Sequence, residues 1–151
     1  MPSFQQLFTA SRGLPIRYQG KILVMMDRLE IVDGSAFKLT FERHNSEWRQ
    51  GVKFRAMAEF CIDNGVCTTK DVVLWQDTAP AVQSFCLRNV KEGTLKLWNV
   101  WDQGDEFTQA WMNGAAMIVE ELENGRRYFC NDGHPDDNFD DIVFRLERLE
   151  R

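Results

Sequence analysis

No run of apolar residues in this chain approaches the roughly 20 needed to cross a bilayer as a helix. Runs such as Ile22-Leu23-Val24-Met25-Met26 stop far short of that, so no membrane span is expected. The opening stretch Met1-Pro2-Ser3-Phe4-Gln5-Gln6-Leu7-Phe8 has no basic cluster, apolar stretch or small-residue cleavage site. A secretory leader is therefore not expected, and the cytoplasm is the default compartment, with leaderless export left open. No Pro-, Ser- or Gln-rich tract interrupts the chain, and apolar residues at 44% with charged residues at 27% are those of a globular domain. No internal repeat or linker divides the 151 residues, which predicts a single domain over 1–151. The formal charge of -5, with basic residues scattered among acids, sets nucleic acid aside as a partner.

Catalytic and metal signatures are equally scarce. There is no P-loop, dinucleotide fingerprint, G-x-S-x-G elbow or H-E-x-x-H, and the two histidines, His44 and His134, have no nucleophile beside them in sequence. The four cysteines, Cys61, Cys67, Cys86 and Cys130, lack the C-x-x-C spacing of a zinc site, so zinc is not expected. If Asp63-Asn64-Gly65 is a hairpin loop, Cys61 and Cys67 face each other across two strands. That leaves two readings: a disulfide, or free thiols acting as small hydrophobes.

What is present reads as extended chain. Ser3-Phe4-Gln5-Gln6 has the capping-box form and Phe4, Leu7 and Phe8 follow at helical spacing, which predicts one short N-terminal helix ended by Gly13 and Pro15. Its apolar anchors suit a lid packed on the core. After Gly20 the period becomes two: Phe37, Leu39 and Phe41, then Val52, Phe54, Ala56, Ala58 and Phe60, alternate with polar residues. Further strands are expected at Val72–Trp75, Phe85–Leu87, Thr94–Trp101, Ala116–Leu122, Arg127–Cys130 and Ile142–Glu147. Val90-Lys91-Glu92-Gly93 and Asn124-Gly125 read as hairpin turns. Some eight or nine short strands with almost no helix predict an all-β fold, an antiparallel β-sandwich of jelly-roll type.

The most unusual segment, Asn131-Asp132-Gly133-His134-Pro135-Asp136-Asp137-Asn138-Phe139-Asp140-Asp141, crowds carboxylates between two strands. Such a crowd repels itself, and Ca²⁺, which takes six to eight oxygen ligands, relieves the repulsion. Asp132, Asp136, Asp137, Asn138, Asp140 and Asp141 are the candidate ligands. The alternative is a solvated acidic turn at the domain edge. The spacing is not that of an EF-hand.

Asp136-Asp137-Asn138-Phe139-Asp140-Asp141-Ile142-Val143-Phe144 resembles the Asp-x-Asp-[Phe/Tyr]-Asn-Asp-[Ile/Val]-Val-Phe pattern of bacterial calcium-binding β-sandwich proteins, with Asn138 and Asp140 interchanged. Val119-Glu120-Glu121-Leu122-Glu123 is similar to the acidic strand preceding that pattern, so the resemblance covers about residues 119–147. It implies carboxylate-held calcium near the last strand. A second similarity, to calcium-dependent galactose-binding jelly rolls, rests on Asn131-Asp132 and Asp137-Asn138.

Trp98, Trp101 and Trp111, with Phe107 nearby, form either a stacking platform for a ligand such as a sugar, or core. Trp98 and Trp101 have opposite parity on one strand, so a regular strand sends them to opposite faces and at least one into the core. Taken together, these features point to a non-enzymatic binding or interaction module with an unidentified protein or carbohydrate ligand, calcium-dependent if the acidic loop takes the ion. Two alternatives stay open: a carbohydrate-active hydrolase using dispersed carboxylates, and a structural or adaptor protein that pairs with one partner.

Overall fold

The computed structural model describes residues 2–62 and 65–149. Its helix, α1 (Phe4–Ala10), starts where the capping box predicts. The Gln6 N–H donates to the Ser3 hydroxyl at 3.2 Å while the Ser3 N–H donates to Gln6 Oε1 at 2.8 Å, which satisfies two helix-terminal donors reciprocally. Gly13, at φ +81, donates its N–H back to the Phe8 carbonyl at 2.9 Å and ends the turn in the left-handed region that glycine tolerates. Phe4 and Phe8 sink into a small cluster with Leu23, Ala116 and Phe139, so the helix is a packed lid.

Among the described residues twelve strands follow: β1 (Ile16–Tyr18), β2 (Lys21–Leu23), β3 (Asp27–Glu30), β4 (Ala36–His44), β5 (Arg49–Ile62), β6 (Cys67–Trp75), β7 (Val82–Arg88), β8 (Thr94–Asp102), β9 (Thr108–Gln109), β10 (Ala116–Leu122), β11 (Gly125–Asn131) and β12 (Ile142–Leu149). β1 and β2 pair with each other. The other ten make one sheet in the order β10-β11-β12-β4-β7-β5-β8-β3, with β6 also on β5 and β9 on β8, and every pairing is antiparallel. The all-β class and the single short helix are as expected. In place of two separately bonded sheets, as in a jelly-roll sandwich, the hydrogen bonding joins these strands into a single curled sheet.

Alternation places the core on the inside of the curl. Phe37 and Leu39 of β4, Val52, Phe54 and Phe60 of β5, Phe85 and Leu87 of β7, Leu95 and Leu97 of β8, and Phe144 and Leu146 of β12 belong to one buried cluster. Each such side chain contributes about 1.5–3 kcal/mol on leaving water.

The curl has two identifiable causes. β5 is long and its register shifts between Arg55 and Glu59; its first half pairs with β8, its second half with β7, and β6 follows its other edge throughout. β7 and β8 therefore run end to end along one edge of β5. The connection at Val90–Gly93 is consequently not the hairpin turn that its sequence suggests; it is an irregularity in that line, held to β5 by Lys91 N–H donating to the Met57 carbonyl at 2.8 Å. Where the line breaks, its outer neighbour changes from β4 to β3, which turns the sheet.

The second cause is a seam. Val24, between β2 and β3, exchanges backbone hydrogen bonds of 2.9 and 2.8 Å with Met117 of β10, so the two ends of the strand order meet. Beside it, Asp27 of β3 accepts from Arg126 Nη1 at 2.9 Å and from the Tyr128 hydroxyl at 2.5 Å, both on β11. Arg148 Nη2 adds a bond to the Glu30 carbonyl at 2.6 Å.

The hairpin between β10 and β11 turns one residue earlier than expected. Leu122 pairs with Gly125, so Glu123 and Asn124 form the turn, and none of residues 123–125 has positive φ. Gly125 is needed for closeness: a Cβ there would lie 2.1 Å from the Leu146 carbonyl oxygen of β12. No helix among the described residues is long and apolar enough to cross a membrane.

Candidate functional site

The acidic segment connects β11 to β12 and is built by side-chain hydrogen bonds to its own backbone. Asn131, fully buried at the end of β11, accepts the Phe139 N–H at 2.7 Å and donates Nδ2 to the Asp136 carbonyl at 2.7 Å. These two bonds hold Phe139 at φ +55, a left-handed conformation that costs a non-glycine residue about 1–2 kcal/mol. The ring gained in exchange packs against Phe4 of α1, with centroids 5.9 Å apart.

Asp132 is the polar centre of this end of the sheet. Its Oδ2 accepts from the Ser46 hydroxyl at 2.6 Å and Gln50 Nε2 at 2.9 Å, and its Oδ1 accepts the His134 N–H at 2.9 Å. Asn99 of β8 donates to the Asn131 carbonyl at 2.8 Å and ties the network to the opposite strand. Above it, His134 stacks on Trp48 at 3.8 Å, and Trp48 lies nearly parallel to Trp101 at 6.4 Å. Gly133 fits between: a Cβ on it would stand 3.0 Å from the Trp101 ring and 3.4 Å from Trp48.

The carboxylates do not all serve one purpose. Asp141, buried, accepts the Asp132 N–H at 2.9 Å. Burial pushes its carboxyl up to about 7, the Asp132 N–H opposes that shift, and the charges of Asp132 and Asp136 reinforce it. Asp137 accepts from the Tyr18 hydroxyl at 3.2 Å, and Asp140 accepts from Asn45 Nδ2 at 3.1 Å. One oxygen each of Asp136 and Asp140 is buried with no hydrogen-bond partner. Asn138 is exposed. The six residues singled out in the sequence thus share one loop but point several ways: Asp132 and Asp141 inward, Asp137 toward β1 and Asp140 toward the end of β4.

Two depressions flank the loop, and Asp136 lines both. The larger, about 650 Å³, opens between α1 and the loop, with Phe4, Gln6, Tyr18, Asn113, Asp136 and Asp137 among its walls. The smaller, about 500 Å³, is walled by His44, Asn45, Glu47, His134, Asp136 and Asp141. His134 Nε2 stands 3.5 Å from a Glu47 carboxylate oxygen. This end can accept positive charge from a ligand, and the raised Asp141 carboxyl can hold or release a proton near neutrality.

The three tryptophans are not one platform. Trp101 is fully buried beneath the acidic loop. Trp98, also buried, contacts Trp111 at 4.7 Å, and Arg55 lies 5.5 Å over the Trp98 ring. Trp111 donates Nε1 to the Met25 carbonyl at 2.8 Å. Phe107 is 69% exposed.

All four cysteines are free thiols, and Cys61 and Cys67 are register partners at the start of the β5–β6 hairpin. Asp63 and Asn64, two of the three expected loop residues, lie outside the described residues. Sequence reasoning missed Trp48 and the helix wall of the groove. The indole at position 48 follows a strand without belonging to its alternation, and Phe4, Tyr18 and Asn113 are brought to the loop by tertiary packing alone. No known protein family, curated protein or solved structure matches the chain.

Proposed function

We propose that the chain is a non-enzymatic binding module whose recognition end is the acidic loop and the groove it forms with α1. The ligand carries positive charge there, either as Ca²⁺ or as an organic ammonium group. The observation behind this reading is Asp136: one of its oxygens is buried without a partner, it lies in the wall shared by both depressions, and Asp137 stands beside it. A buried acceptor left unpaired costs about 1–3 kcal/mol, more when charged, and a cation at the loop recovers it. Phe4 and Tyr18 supply an aromatic wall of the kind that favours an ammonium group.

Calorimetry with CaCl₂ and, separately, with spermidine tests the proposal. Heat of binding with at least one of them, abolished in the double variant D136N/D137N, is expected. No heat with either, from protein whose circular dichroism shows intact β structure, contradicts it.

One observation favours the hydrolase alternative. The Asp141 carboxyl, held near 7, sits at the smaller depression with His44, Glu47 and His134, where an acid/base pair serves glycoside hydrolysis. That reading requires turnover of an oligosaccharide that D141N abolishes without loss of fold.

A further inference from the structure

Away from the acidic end, the sheet gathers a second set of ligand-type side chains. In the second half of β5, Cys61 is the register partner of Cys67 on β6 and of Cys86 on β7. Paired residues point to the same face of a sheet, so the three thiols stand in a row across three strands. The hairpin brings the first two closest. Ile62 N–H donates to the Val66 carbonyl at 2.8 Å, and Gly65 at φ +90 returns its N–H to the Ile62 carbonyl at 2.8 Å. With that bond at Ile62, Cys61 and Cys67 form the next, non-hydrogen-bonded pair, whose side chains approach most closely.

Glu59 lies two residues before Cys61 and so shares its face. Its Oε1 is 3.7 Å from Cys61 Sγ, and its Oε2 accepts from Asn89 Nδ2 at 3.1 Å. One Glu59 oxygen and the sulfurs of Cys61 and Cys67 all lie within 4.8 Å of one another, and no other group of three among the described residues does so.

We propose that Glu59, Cys61 and Cys67 form a binding site for a thiophilic divalent cation of the zinc class. Tetrahedral zinc, with sulfur at about 2.3 Å and oxygen at about 2.0–2.2 Å, sets its ligands roughly 3.5–3.8 Å apart, and the sulfur-to-oxygen separation already falls there. Soft thiolates select such a cation over calcium. Each thiol gives up its proton to solvent on binding, so the site carries Zn²⁺ against three negative charges. Arg88, whose charge interacts with Cys61, Cys86 and Cys67, balances the remaining one. Cys61 is 8% exposed and anchors the metal, whereas Cys67 is exposed and gives it an entry path. Asn89 holds the carboxylate from behind, the outer contact that metal ligands require for orientation. The fourth position is open to water.

The test uses the whole chain kept reduced by a phosphine, with Co²⁺ as the optical probe. One equivalent of Co²⁺ is expected to produce a sulfur-to-cobalt charge-transfer band, Zn²⁺ to bleach it, and Zn²⁺ to raise the thermal midpoint. C67S, at an exposed position, is expected to abolish the band with native circular dichroism retained. N89A is expected to keep the band and weaken affinity about 10–100-fold. Absence of a band in the reduced, folded chain, or a band that survives in C67S, overturns the proposal.

Discussion

A lone carboxylate at the seam and a cluster of them at the acidic end occupy the same curled sheet and are treated oppositely. At the seam, Asp27 meets a guanidinium and a phenol, so its charge is answered by Arg126 and Tyr128 within 2.5–3.1 Å. At the acidic end, Asp141 meets the like charges of Asp132 and Asp136, and two carboxylate oxygens there have no partner. A buried charge that is matched ties strands together, while one left unmatched costs stability that only a proton or a ligand returns. The seam thus reads as structure, and the acidic end is the surface proposed for recognition.

The sharpest way to break this contrast is to unmatch the seam. Asp27→Ala removes the acceptor of the Tyr128 hydroxyl and one partner of Arg126 where the ends of the sheet meet. The expected loss is about 2–4 kcal/mol in urea unfolding. A loss below about 0.5 kcal/mol would mean that Val24 and Met117 close the sheet without it.

Next in size is the loop's own clamp. Asn131→Ala deletes the bonds that hold Asp136 and the left-handed Phe139, and about 1–3 kcal/mol is expected to go with them. Amide exchange should accelerate over residues 132–141 and remain slow at the seam. Equal acceleration at both places would show that the two regions are not independent.

The third test concerns protons, and it reads a slope with pH in place of a single loss. The Asp141 carboxyl lies near 7 in the folded chain and near 3.9 when unfolded, so the native state keeps a proton that the unfolded state releases. Its contribution is fully present below about pH 4, declines as pH rises, and is gone above about pH 7. The thermal midpoint of the wild type should fall between those limits more steeply than that of Asp141→Asn, which still accepts the Asp132 N–H. Parallel profiles would remove Asp141 as the cause.

Much of this was legible in the sequence, and what was hidden is instructive. Alternation in Val52, Phe54, Ala56 and Phe60 marked β5 because one face of a strand must be apolar. The capping residues Ser3 and Gln6 marked α1 because they act locally. Alternation carries no information about which edge a strand pairs with. Gly93 therefore suggested a hairpin where β7 and β8 run in line, and one sheet was expected as two. Loop spacing shows Cys61 facing Cys67, but the same blindness hides Cys86 on the other edge, and the approach of Glu59 shows only in the fold. A C-x-x-C motif announces itself because a single turn joins its ligands, whereas Glu59, Cys61 and Cys67 meet only once a hairpin sets the register. The acidic loop was visible as composition, but its clamp was not: nothing in the string distinguishes Asn131, which holds the loop, from Asn138, which is exposed.

The most direct test of the central claim is a titration of uniformly ¹⁵N-labelled protein at pH 8 with CaCl₂, repeated with spermidine, followed by amide chemical shifts. A saturable response confined to the backbone of residues 131–141, the first turn of α1 and Asn113-Gly114 is predicted for at least one of the two cations. Spectra unchanged by both, or shifts centred on Asp27, Arg126 and Tyr128 instead, would contradict the assignment of the acidic end as the recognition surface.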